Sequence, residues 1–347
     1  MKLGIVGLPQ SGRSTIFSAL TGARSDKEGG SSRTDTRIAT IVVHDERVDF
    51  LSDMYKPKKI TFAKIEYFLP SEIPSSSVSK SESGIWNQVR ICDALLHVVR
   101  NFKGFDGASP ASEPDFWKTE EEMILSDLMV AEKRIERLDL DRKRGKKPEG
   151  EEHSLVKSCE ELLNNGRPLR MAPELATSPV LKGFTFLSAK PVLVIINNGD
   201  EDEALPEWEQ TPDGVERMAV RGRLEQDIAT MSSEEAGEFL EAYNIQESAL
   251  DRVIKSSYRL LNRISFFTVG SDEVRAWPIS AGTPAVKAAG EVHSDIEKGF
   301  IRAETLSYED LKTHGSYQAA KKAGLVRLEG KEYEVKDGDI INFRFNI

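Results

Sequence analysis

Cysteine is scarce in this sequence, and its scarcity excludes two kinds of site. Only Cys92 and Cys159 occur among 347 residues, without a CxxC spacing or a neighbouring histidine cluster. Disulfide frameworks and structural zinc sites need several such ligands at close spacing. We therefore expect both cysteines to be buried free thiols.

Long hydrophobic runs are also missing. No segment approaches the roughly 20 apolar residues that a membrane-spanning helix needs. The apolar stretch in residues 1–7 is shorter than the core of a signal peptide. Hydrophobic residues make up 39% of the chain and charged residues 30%, which is typical of a folded protein in water. We expect a cytoplasmic protein with no membrane partner.

The chain has no excess of positive charge. Lysine and arginine number 47 against 57 aspartates and glutamates, which gives a formal net charge of −10. A broad electrostatic grip on a nucleic-acid backbone needs the opposite balance. We expect no DNA partner, although a local RNA-binding surface on one domain is compatible with this charge.

The periodicity of apolar residues predicts the order of the secondary structure. Strand patterns fall at residues 2–6, 38–43, 60–69, 91–99 and 190–197. Helical patterns fall at residues 14–20, 48–54, 117–144, 155–163 and 225–262. Loop compositions fall at residues 25–37, 70–84 and 142–152, the last of which is a charged turn.

Two regions have a character of their own. The helical patterns at 117–144 and 155–163 predict an antiparallel, coiled-coil hairpin with a solvated tip. From Ile264 onward, short alternating runs separated by glycine turns predict a small α+β domain with a mixed sheet. Its strand patterns are at 266–269, 325–328, 331–335 and 340–345.

Residues 7–14 nearly match the phosphate-binding pattern GxxxxGK[ST] between a predicted strand and a predicted helix. They read Gly-Leu-Pro-Gln-Ser-Gly-Arg-Ser. Glycines let backbone N–H groups turn inward around phosphate oxygens, and the helix N-terminus adds positive potential. Ser14 is expected to bind Mg²⁺, whereas Arg13 replaces the lysine that reaches the β- and γ-phosphates. The alternative is a glycine turn without a ligand.

Arg13 keeps the positive charge of the missing lysine. Its planar guanidinium is larger and cannot act as the same compact ammonium group. Anion binding survives this change more readily than the geometry of a transition state does.

A second candidate motif follows the buried strand pattern at 190–197. The sequence Asn197-Asn-Gly-Asp-Glu201 fits a base-recognition motif of the type Asn-x-x-Asp/Glu in two registers. These are Asn197 with Asp200, which the strand pattern favours, and Asn198 with Glu201. The alternative is an Asn-Gly turn that caps a strand.

A third motif is absent. A P-loop switch enzyme needs an aspartate at the end of a strand and a glycine that senses the γ-phosphate. After the strand pattern at 60–69 the chain continues Pro70-Ser-Glu72, without Asp-x-x-Gly. Glu66 or Glu72 is a weak substitute. We expect His97 to be a packed core residue. For His293 and Asp295 we favour hydrogen bonds within their own domain, and the alternative is a surface that contacts RNA or a partner.

These pieces, in this order, resemble the YchF/Obg-like ATPase family over nearly the whole chain. The C-terminal run at 288–304 is the most specific of them. The segments that carry the resemblance are 2–23, 44–51 with 56–57, 89–100, 190–197, 273–277, 288–304, 327–331 and 337–339.

The resemblance implies an α/β fold: a Ras-like P-loop NTPase domain with an inserted helical hairpin and a C-terminal β-grasp (TGS) domain. The implied boundaries are 1–115 and 186–263 for the NTPase domain, 116–185 for the hairpin and 264–347 for the TGS domain. It also implies binding of ATP or GTP with Mg²⁺, and contact with ribosome or RNA through the TGS domain. The implied nucleotide-binding residues are Gly7, Pro9, Gln10, Ser11, Gly12, Arg13, Ser14, Thr15, Asn197 and Asp200.

Three departures from the family pattern bear on activity. Arg13 replaces lysine, Asp200 stands where the family has glutamate, and Leu69 to Glu72 replace Asp-x-x-Gly. Three hypotheses follow: a slow ATPase or GTPase switch, a pseudo-NTPase that keeps the fold without turnover, and a purely structural binding protein. Because a positioned lysine and Mg²⁺ supply most of phosphoryl-transfer catalysis, we expect weakened or absent hydrolysis.

Overall fold

The computed structural model describes residues 1–22, 36–71, 78–104, 107–145, 150–242 and 248–346. The chain divides into two compact units. One comprises Met1–Ile41 and Glu66–Val253, and the other comprises Val42–Ile65 and Ile254–Ile347.

Strands and helices alternate through most of the described chain. The strands are β1 (Lys2–Val6), β2 (Arg37–Val43), β3 (Lys59–Thr61), β4 (Ala63–Leu69), β5 (Ala94–Asn101), β6 (Val192–Asn198), β7 (Glu216–Val220), β8 (Arg263–Thr268), β9 (Glu273–Ser280), β10 (Phe300–Ser307), β11 (Arg327–Glu329) and β12 (Asp339–Phe345). The helices are α1 (Arg13–Thr21), α2 (Glu46–Tyr55), α3 (Val78–Val89), α4 (Ser112–Lys143), α5 (Glu152–Asn164), α6 (Pro173–Ala176), α7 (Gly222–Thr230), α8 (Ser233–Ala242), α9 (Ala249–Leu260), α10 (Ala285–Val292), α11 (Ser294–Lys298), α12 (Tyr308–His314) and α13 (Tyr317–Lys322). This mixed composition confirms the predicted α/β class.

The first sheet has the described strands in the order β2-β4-β1-β5-β6-β7. From β4 to β7 every neighbouring pair is parallel. The central strands β1, β5 and β6 are nearly continuous runs of buried Val, Ile and Leu, as expected for a parallel sheet covered on both faces. Because these strands are parallel, their carboxyl ends meet at one edge.

The predicted helical pair is confirmed as α4 and α5, although α4 begins at Ser112, earlier than predicted. Phe116 and Met123 on α4 belong to the core under the first sheet. Farther along, Ile135 packs with Cys159 of α5 in a second cluster. The first part of α4 therefore packs against the first sheet, and its later part packs against α5.

The second sheet has the order β11-β10-β12-β8-β9-β3 among the described strands. Its core combines side chains of the strands, such as Phe266 of β8 and Phe343 of β12, with small residues of α10, such as Ala288. This mixed sheet confirms the predicted α+β character of the region after Ile264. His293 accepts a hydrogen bond from the backbone N–H of Asp295 at 3.1 Å and caps α11, so its predicted local role is confirmed.

The single strand predicted at 60–69 is wrong, because the segment forms β3 and β4 in two different sheets. β3 pairs in parallel with β9, with Lys59 opposite Glu273. Thr61 donates a hydrogen bond from Oγ1 to the carboxylate of Glu273 at 2.6 Å. This pairing partner lies more than 200 residues away in sequence, and local periodicity carries no sign of it.

The loop predicted at 70–84 is wrong over residues 78–84, which belong to α3; residues 72–77 lie outside the described chain. Serine has modest helix propensity, yet Trp86 and Val89 are buried in the core and stabilise the helix. The loop predicted at 25–37 lies outside the described residues up to position 35.

Two further sequence predictions differ from the structure. The strand predicted at 331–335 is wrong, since only a single bridge between Pro284 and Glu334 forms there. β7 was not predicted from the sequence. This edge strand has five residues and is half-exposed, so it lacks a strong apolar pattern. Helices α7 to α9 confirm the helical prediction for 225–262, apart from residues 243–247, which are outside the described chain.

Both cysteines are free and buried, as predicted. Burial raises the pKa of each thiol, Cys92 and Cys159, to about 11. Across the described residues, no helix combines the length and apolarity that crossing a bilayer demands.

Candidate functional site

The loop predicted to bind phosphate connects β1 to α1 and has the backbone that its glycines permit. Gly7, Gln10 and Gly12 have positive φ of 143°, 64° and 95°. A Cβ on Gly7 would collide with the carbonyl oxygen of Val98, and one on Gly12 would collide with the amide of Asn197. Both glycines are therefore required by close packing as well as by backbone conformation.

Arg13, Ser14 and Thr15 lie in the first turn of α1, directly after the loop. The N-terminus of a helix presents unpaired N–H groups and positive potential, which favours a bound anion. Arg13 is only 6% exposed, whereas Ser14 is exposed and Thr15 is half-buried. Pro9 and Gln10 are exposed.

Asn197, at the end of β6, is joined to this loop. Its Nδ2 donates to the carbonyl oxygen of Ser11 at 3.0 Å, and its Oδ1 accepts from the backbone N–H of Gly222 at 3.0 Å. A Cβ on Gly222 would lie 2.6 Å from Oδ1. One buried amide therefore holds the phosphate loop and the start of α7 in a fixed relation.

The neighbouring amide of Asn198 has a different role. Its Nδ2 donates to the carbonyl oxygens of Asp202 and Ala204 at 3.1 and 2.8 Å, and its Oδ1 accepts from Asn101 at 2.8 Å. These bonds hold the turn that follows β6. Of the two registers, only the one with Asn197 contacts the phosphate loop, and Asp200 lies exposed in the turn beyond it.

Phe102 lies beside the candidate loop and was not named from the sequence. It follows β5 and is half-buried. Its ring lies 4.0 Å from the Cβ position of Gly12, and its Cβ lies 3.9 Å from that of Gly199. The available signal was an aromatic residue directly after a buried parallel strand, at the edge where the carboxyl ends of the strands meet.

The end of β4 lies at the same edge, because β4 runs parallel to β1 with Phe68 opposite Gly4. The strand ends at Leu69, which is 5% exposed, and the described chain continues to Ser71 without a carboxylate. Ser71 donates from its backbone N–H and its hydroxyl to Oε1 of Gln88 at 3.1 and 3.2 Å. Thr36 donates to the same oxygen at 3.1 Å.

Glu66, a proposed substitute for the missing aspartate, lies at the wrong end of the sheet. It is opposite Lys2, where β1 begins, and its carboxylate lies 3.9 Å from the Lys2 ammonium. The loop follows Val6 at the other end of β1, roughly 13 Å away at the rise of a β-strand. Glu72, the other substitute, is outside the described residues.

His97 lies in β5 beneath the phosphate loop and is 1% exposed, which confirms its prediction as a core residue. Its ring stacks on Phe116 at 5.2 Å. Burial, with a smaller contribution from the positive charge of Arg170, lowers the pKa of His97 to about 3. The imidazole is therefore neutral at physiological pH.

Among the residues that the structure describes, the exposed hydroxyl of Ser14 is the candidate protein ligand for Mg²⁺ at this site. Among the described residues, no group of three or more His, Cys, Asp or Glu side chains is arranged to hold a metal ion. Mg²⁺ usually keeps several waters and is bound by one or two protein oxygens together with substrate phosphates. The described residues therefore fit a magnesium ion that arrives with a nucleotide.

Comparisons with known proteins agree with this fold. A family model described as YchF-GTPase_C, protein of unknown function (DUF933), matches residues 263–346. The chain is 37% identical over 363 residues to the "Ribosome-binding ATPase YchF" of Bacillus subtilis, covering 99% of each protein. It is 35% identical to "Obg-like ATPase 1" of Bos taurus, covering 100% of this chain and 92% of the relative.

A solved structure shows the same architecture. The YchF GTPase of Schizosaccharomyces pombe superposes with a TM-score of 0.82 at 28% identity, covering 99% of this chain and 97% of the other. Identity above 30% over the full length of curated relatives, together with this superposition, shows common descent. The chain belongs to the YchF/Obg-like ATPase family.

Proposed function

We propose that this chain binds ATP or GTP with Mg²⁺ at the loop of residues 7–14, associates with ribosomes, and hydrolyses the nucleotide slowly or not at all. The hydrogen bond from Asn197 to Ser11 is the observation that carries the proposal. It joins the end of β6 to a glycine loop at a helix N-terminus, which is where a nucleotide is bound in this fold. The names of the relatives support ATP binding and ribosome association.

The phosphates would be held by the backbone N–H groups of the loop and the first turn of α1. Gly7, Pro9, Gln10, Ser11, Gly12, Arg13, Ser14 and Thr15 are the proposed lining residues, and Ser14 would be the protein ligand of Mg²⁺. Bound Mg²⁺ would neutralise phosphate charge. The chain itself supplies the amides that orient the phosphates.

The base would lie beyond the loop, near the ends of β5 and β6. Phe102 places an aromatic residue beside Gly12 and Gly199, and Asn197 keeps one N–H and one lone pair beyond those already used. Asp200 is the proposed second base contact. It is one methylene shorter than glutamate, so it reaches less far toward a purine edge.

Weakened hydrolysis follows from two features of the site. Arg13 is buried in the first turn of α1, in place of the compact ammonium that reaches the β- and γ-phosphates. The described end of β4, Leu69 to Ser71, offers no carboxylate to a metal-bound water. Phosphoryl transfer depends on positioned charge, so loss at both places lowers the rate far more than it lowers affinity.

Ribosome association is assigned to residues 264–347, the proposed TGS domain. The boundaries 1–115, 116–185 and 186–263 remain the proposed NTPase and hairpin regions. A ribosome partner also implies a cytoplasmic location. RNA or ribosomal protein would be contacted by local charge on this domain, because the chain as a whole is acidic.

The second candidate is a pseudo-NTPase that binds ribosome, RNA or protein with no nucleotide in the loop. The burial of Arg13 favours it, since the residue is only 6% exposed and offers little surface to a ligand in this conformation.

Calorimetric titration with ATP, GTP and ADP in Mg²⁺, combined with a phosphate-release assay, separates these candidates. Wild type is expected to bind and to release phosphate at least ten times more slowly than the Arg13→Lys variant, because restoring an interaction made only in the transition state restores rate. Equal turnover would contradict weakened hydrolysis. No binding of any nucleotide would leave the pseudo-NTPase.

Charge-reversal variants test the proposed ribosome contact. Arg302→Glu with Lys331→Glu changes two exposed charges of the C-terminal region, and Lys118→Glu with Lys133→Glu makes the matched change on α4. The first pair is expected to reduce co-sedimentation with ribosomes and the second to leave it unchanged. The opposite pattern would place the contact on the hairpin.

A further inference from the structure

Ser11 of the phosphate loop and His97 of β5 are buried polar residues that line a shared cavity. Ser11 Oγ and His97 Nδ1 have no hydrogen-bond partner among the described residues, although Ser11 is only 2% exposed and His97 only 1%. Both residues line a cavity of about 10 Å³ between the loop and β5. The charged residues Arg100 and Asp115 also line it.

The size and the chemistry of this cavity fit one small polar molecule. A buried hydroxyl or imidazole nitrogen that lacks a partner is costly, so native proteins satisfy nearly all such atoms with protein groups or water. About 10 Å³ is the lower limit of the volume that one water molecule occupies, and such a water needs two to four polar partners. Ser11 and His97 provide two, and Arg100 and Asp115 line the rest.

We propose that one internal water molecule bridges Ser11 Oγ to His97 Nδ1, and that His97 thereby acts as a positioning residue for the phosphate loop. A water can donate to either atom or accept from it, so it satisfies a neutral imidazole in either tautomer. The neutral ring is fixed in place by its stack on Phe116, at 5.2 Å between centroids.

The bridge would complete the hold on Ser11. Its carbonyl oxygen already accepts from Asn197 Nδ2 at 3.0 Å, and its backbone N–H donates to the carbonyl oxygen of Leu8 at 3.2 Å. The hydroxyl is the one polar group of Ser11 that lacks a protein partner in the described chain. A water at this position fixes the loop from β5, as Asn197 fixes it from β6.

A crystal structure of wild type, at a resolution that shows ordered water, tests the proposal directly. We expect density for one water within about 3.2 Å of both Ser11 Oγ and His97 Nδ1. A cavity without density, or one closed by a direct Ser11–His97 hydrogen bond, would overturn it. This test needs no nucleotide, so it stands or falls independently of the proposed function.

The variant His97→Phe tests the positioning role. Phenylalanine keeps a ring that stacks on Phe116 but has no nitrogen to hold the water. We expect the loop amides of residues 8–12 to exchange hydrogen about 2- to 10-fold faster, the range expected for one lost hydrogen bond. His97→Gln, which retains polar atoms, is expected to recover most of the protection.

Global stability separates this role from simple packing. If the cavity held no water, His97→Phe would remove an unsatisfied nitrogen, leave Tm unchanged or higher, and leave loop exchange unchanged. Unchanged loop exchange would therefore contradict the positioning role. If His97→Phe fails to fold, Ser11→Ala removes the other end of the bridge. Faster hydrogen exchange of the loop amides in Ser11→Ala would support the bridge, and unchanged exchange would contradict it.

Discussion

Asn197 Nδ2 donates a hydrogen bond to the carbonyl oxygen of Ser11 at 3.0 Å, so residues 186 positions apart are joined at the phosphate loop. The same side chain accepts from the backbone N–H of Gly222. Asn197 is 4% exposed, which leaves no water to replace either bond. The loop conformation therefore depends on a residue that belongs to a different sequence motif.

Replacing Asn197 with alanine leaves a buried carbonyl oxygen and a buried N–H without partners. We expect the free energy of unfolding to fall by about 1–3 kcal/mol, together with a loss of nucleotide affinity. Chemical denaturation and calorimetric titration measure the two effects. Asp200→Ala is the control, since Asp200 is exposed and its loss should leave stability within about 0.5 kcal/mol. Equal stability of the two variants would contradict the structural role of Asn197.

Gly12→Ala tests the close packing of the loop. Gly12 has φ of 95° and no room for a Cβ beside Asn197, whereas Gly107 has φ of 79° and nothing within 4 Å. Both substitutions incur the cost of a left-handed residue, about 1 kcal/mol. Only Gly12→Ala adds a collision, so we expect it to abolish nucleotide binding while Gly107→Ala leaves binding intact. Thermal unfolding should show the larger loss for Gly12→Ala as well.

His97 gives a pH dependence with a defined sign. Burial lowers the pKa of His97 to about 3 in the folded state, while an unfolded histidine titrates near 6.5. The unfolded chain binds the extra proton between these values, so stability is complete above about pH 6.5 and falls as the pH decreases. From pH 7.5 to 5.5 this residue should account for a loss of about 1.3 kcal/mol.

Unfolding free energies of wild type and His97→Phe across that pH range provide the measurement. The wild-type curve should fall more steeply, because phenylalanine has no proton to bind. Other titrating groups contribute equally to both proteins. Parallel curves would show that His97 is not buried in its neutral form.

Asp127 holds the base of the helical hairpin. Its carboxylate is 0% exposed and accepts from Arg90 at 2.9 Å, from the backbone N–H of Leu187 at 3.0 Å, and from the N–H and hydroxyl of Ser188 at 2.7 and 2.8 Å. Asp127→Ala removes one partner of a buried ion pair, which costs about 3–5 kcal/mol.

The measurement for Asp127→Ala is urea denaturation, with Glu136→Ala on the exposed face of α4 as the control. The control should change stability by less than about 0.5 kcal/mol. A similar small change for Asp127→Ala would mean that the carboxylate network does not hold α4 in solution.

Much of the architecture could be predicted from local sequence. Buried runs such as 2–6 and 190–197 identify strands of a parallel sheet, because only apolar side chains are tolerated on both faces. The spacing of the glycines between a predicted strand and a predicted helix identifies the phosphate loop. Short alternating runs after Ile264 predicted the α+β character of the C-terminal region, and the resemblance to a family added its assignment as a β-grasp domain.

Long-range pairing was the part that could not be predicted. β3 and β4 are neighbours in sequence, but β3 pairs with β9 in the second sheet. α2 belongs to the same compact unit as β3 and β9, and Arg47 links it to that unit. Arg47 donates to Asp45 and to Asp337, both at 2.8 Å, and lies over the ring of Phe267. Burial alone would lower the pKa of Arg47, but the two carboxylates outweigh it and raise the pKa.

Within the candidate site, too, contacts between residues distant in sequence could not be predicted. Local sequence identified the loop and offered two registers, of which the strand pattern favoured the one with Asn197 over the one with Asn198. Their roles differ because β6 brings one amide to Ser11 and the other to the turn at Asp202. Phe102 was missed because an aromatic residue after a strand has no meaning until its spatial neighbours are known.

Calorimetric titration of wild type with Mg·ATP and Mg·GTP measures nucleotide binding at residues 7–14. We expect saturable binding of at least one of the two nucleotides with a dissociation constant below about 1 mM, equivalent to more than about 4 kcal/mol of binding free energy. We also expect Gly12→Ala to abolish this binding. The absence of binding of either nucleotide to folded wild type, or undiminished binding by Gly12→Ala, would contradict the proposed nucleotide binding at this loop.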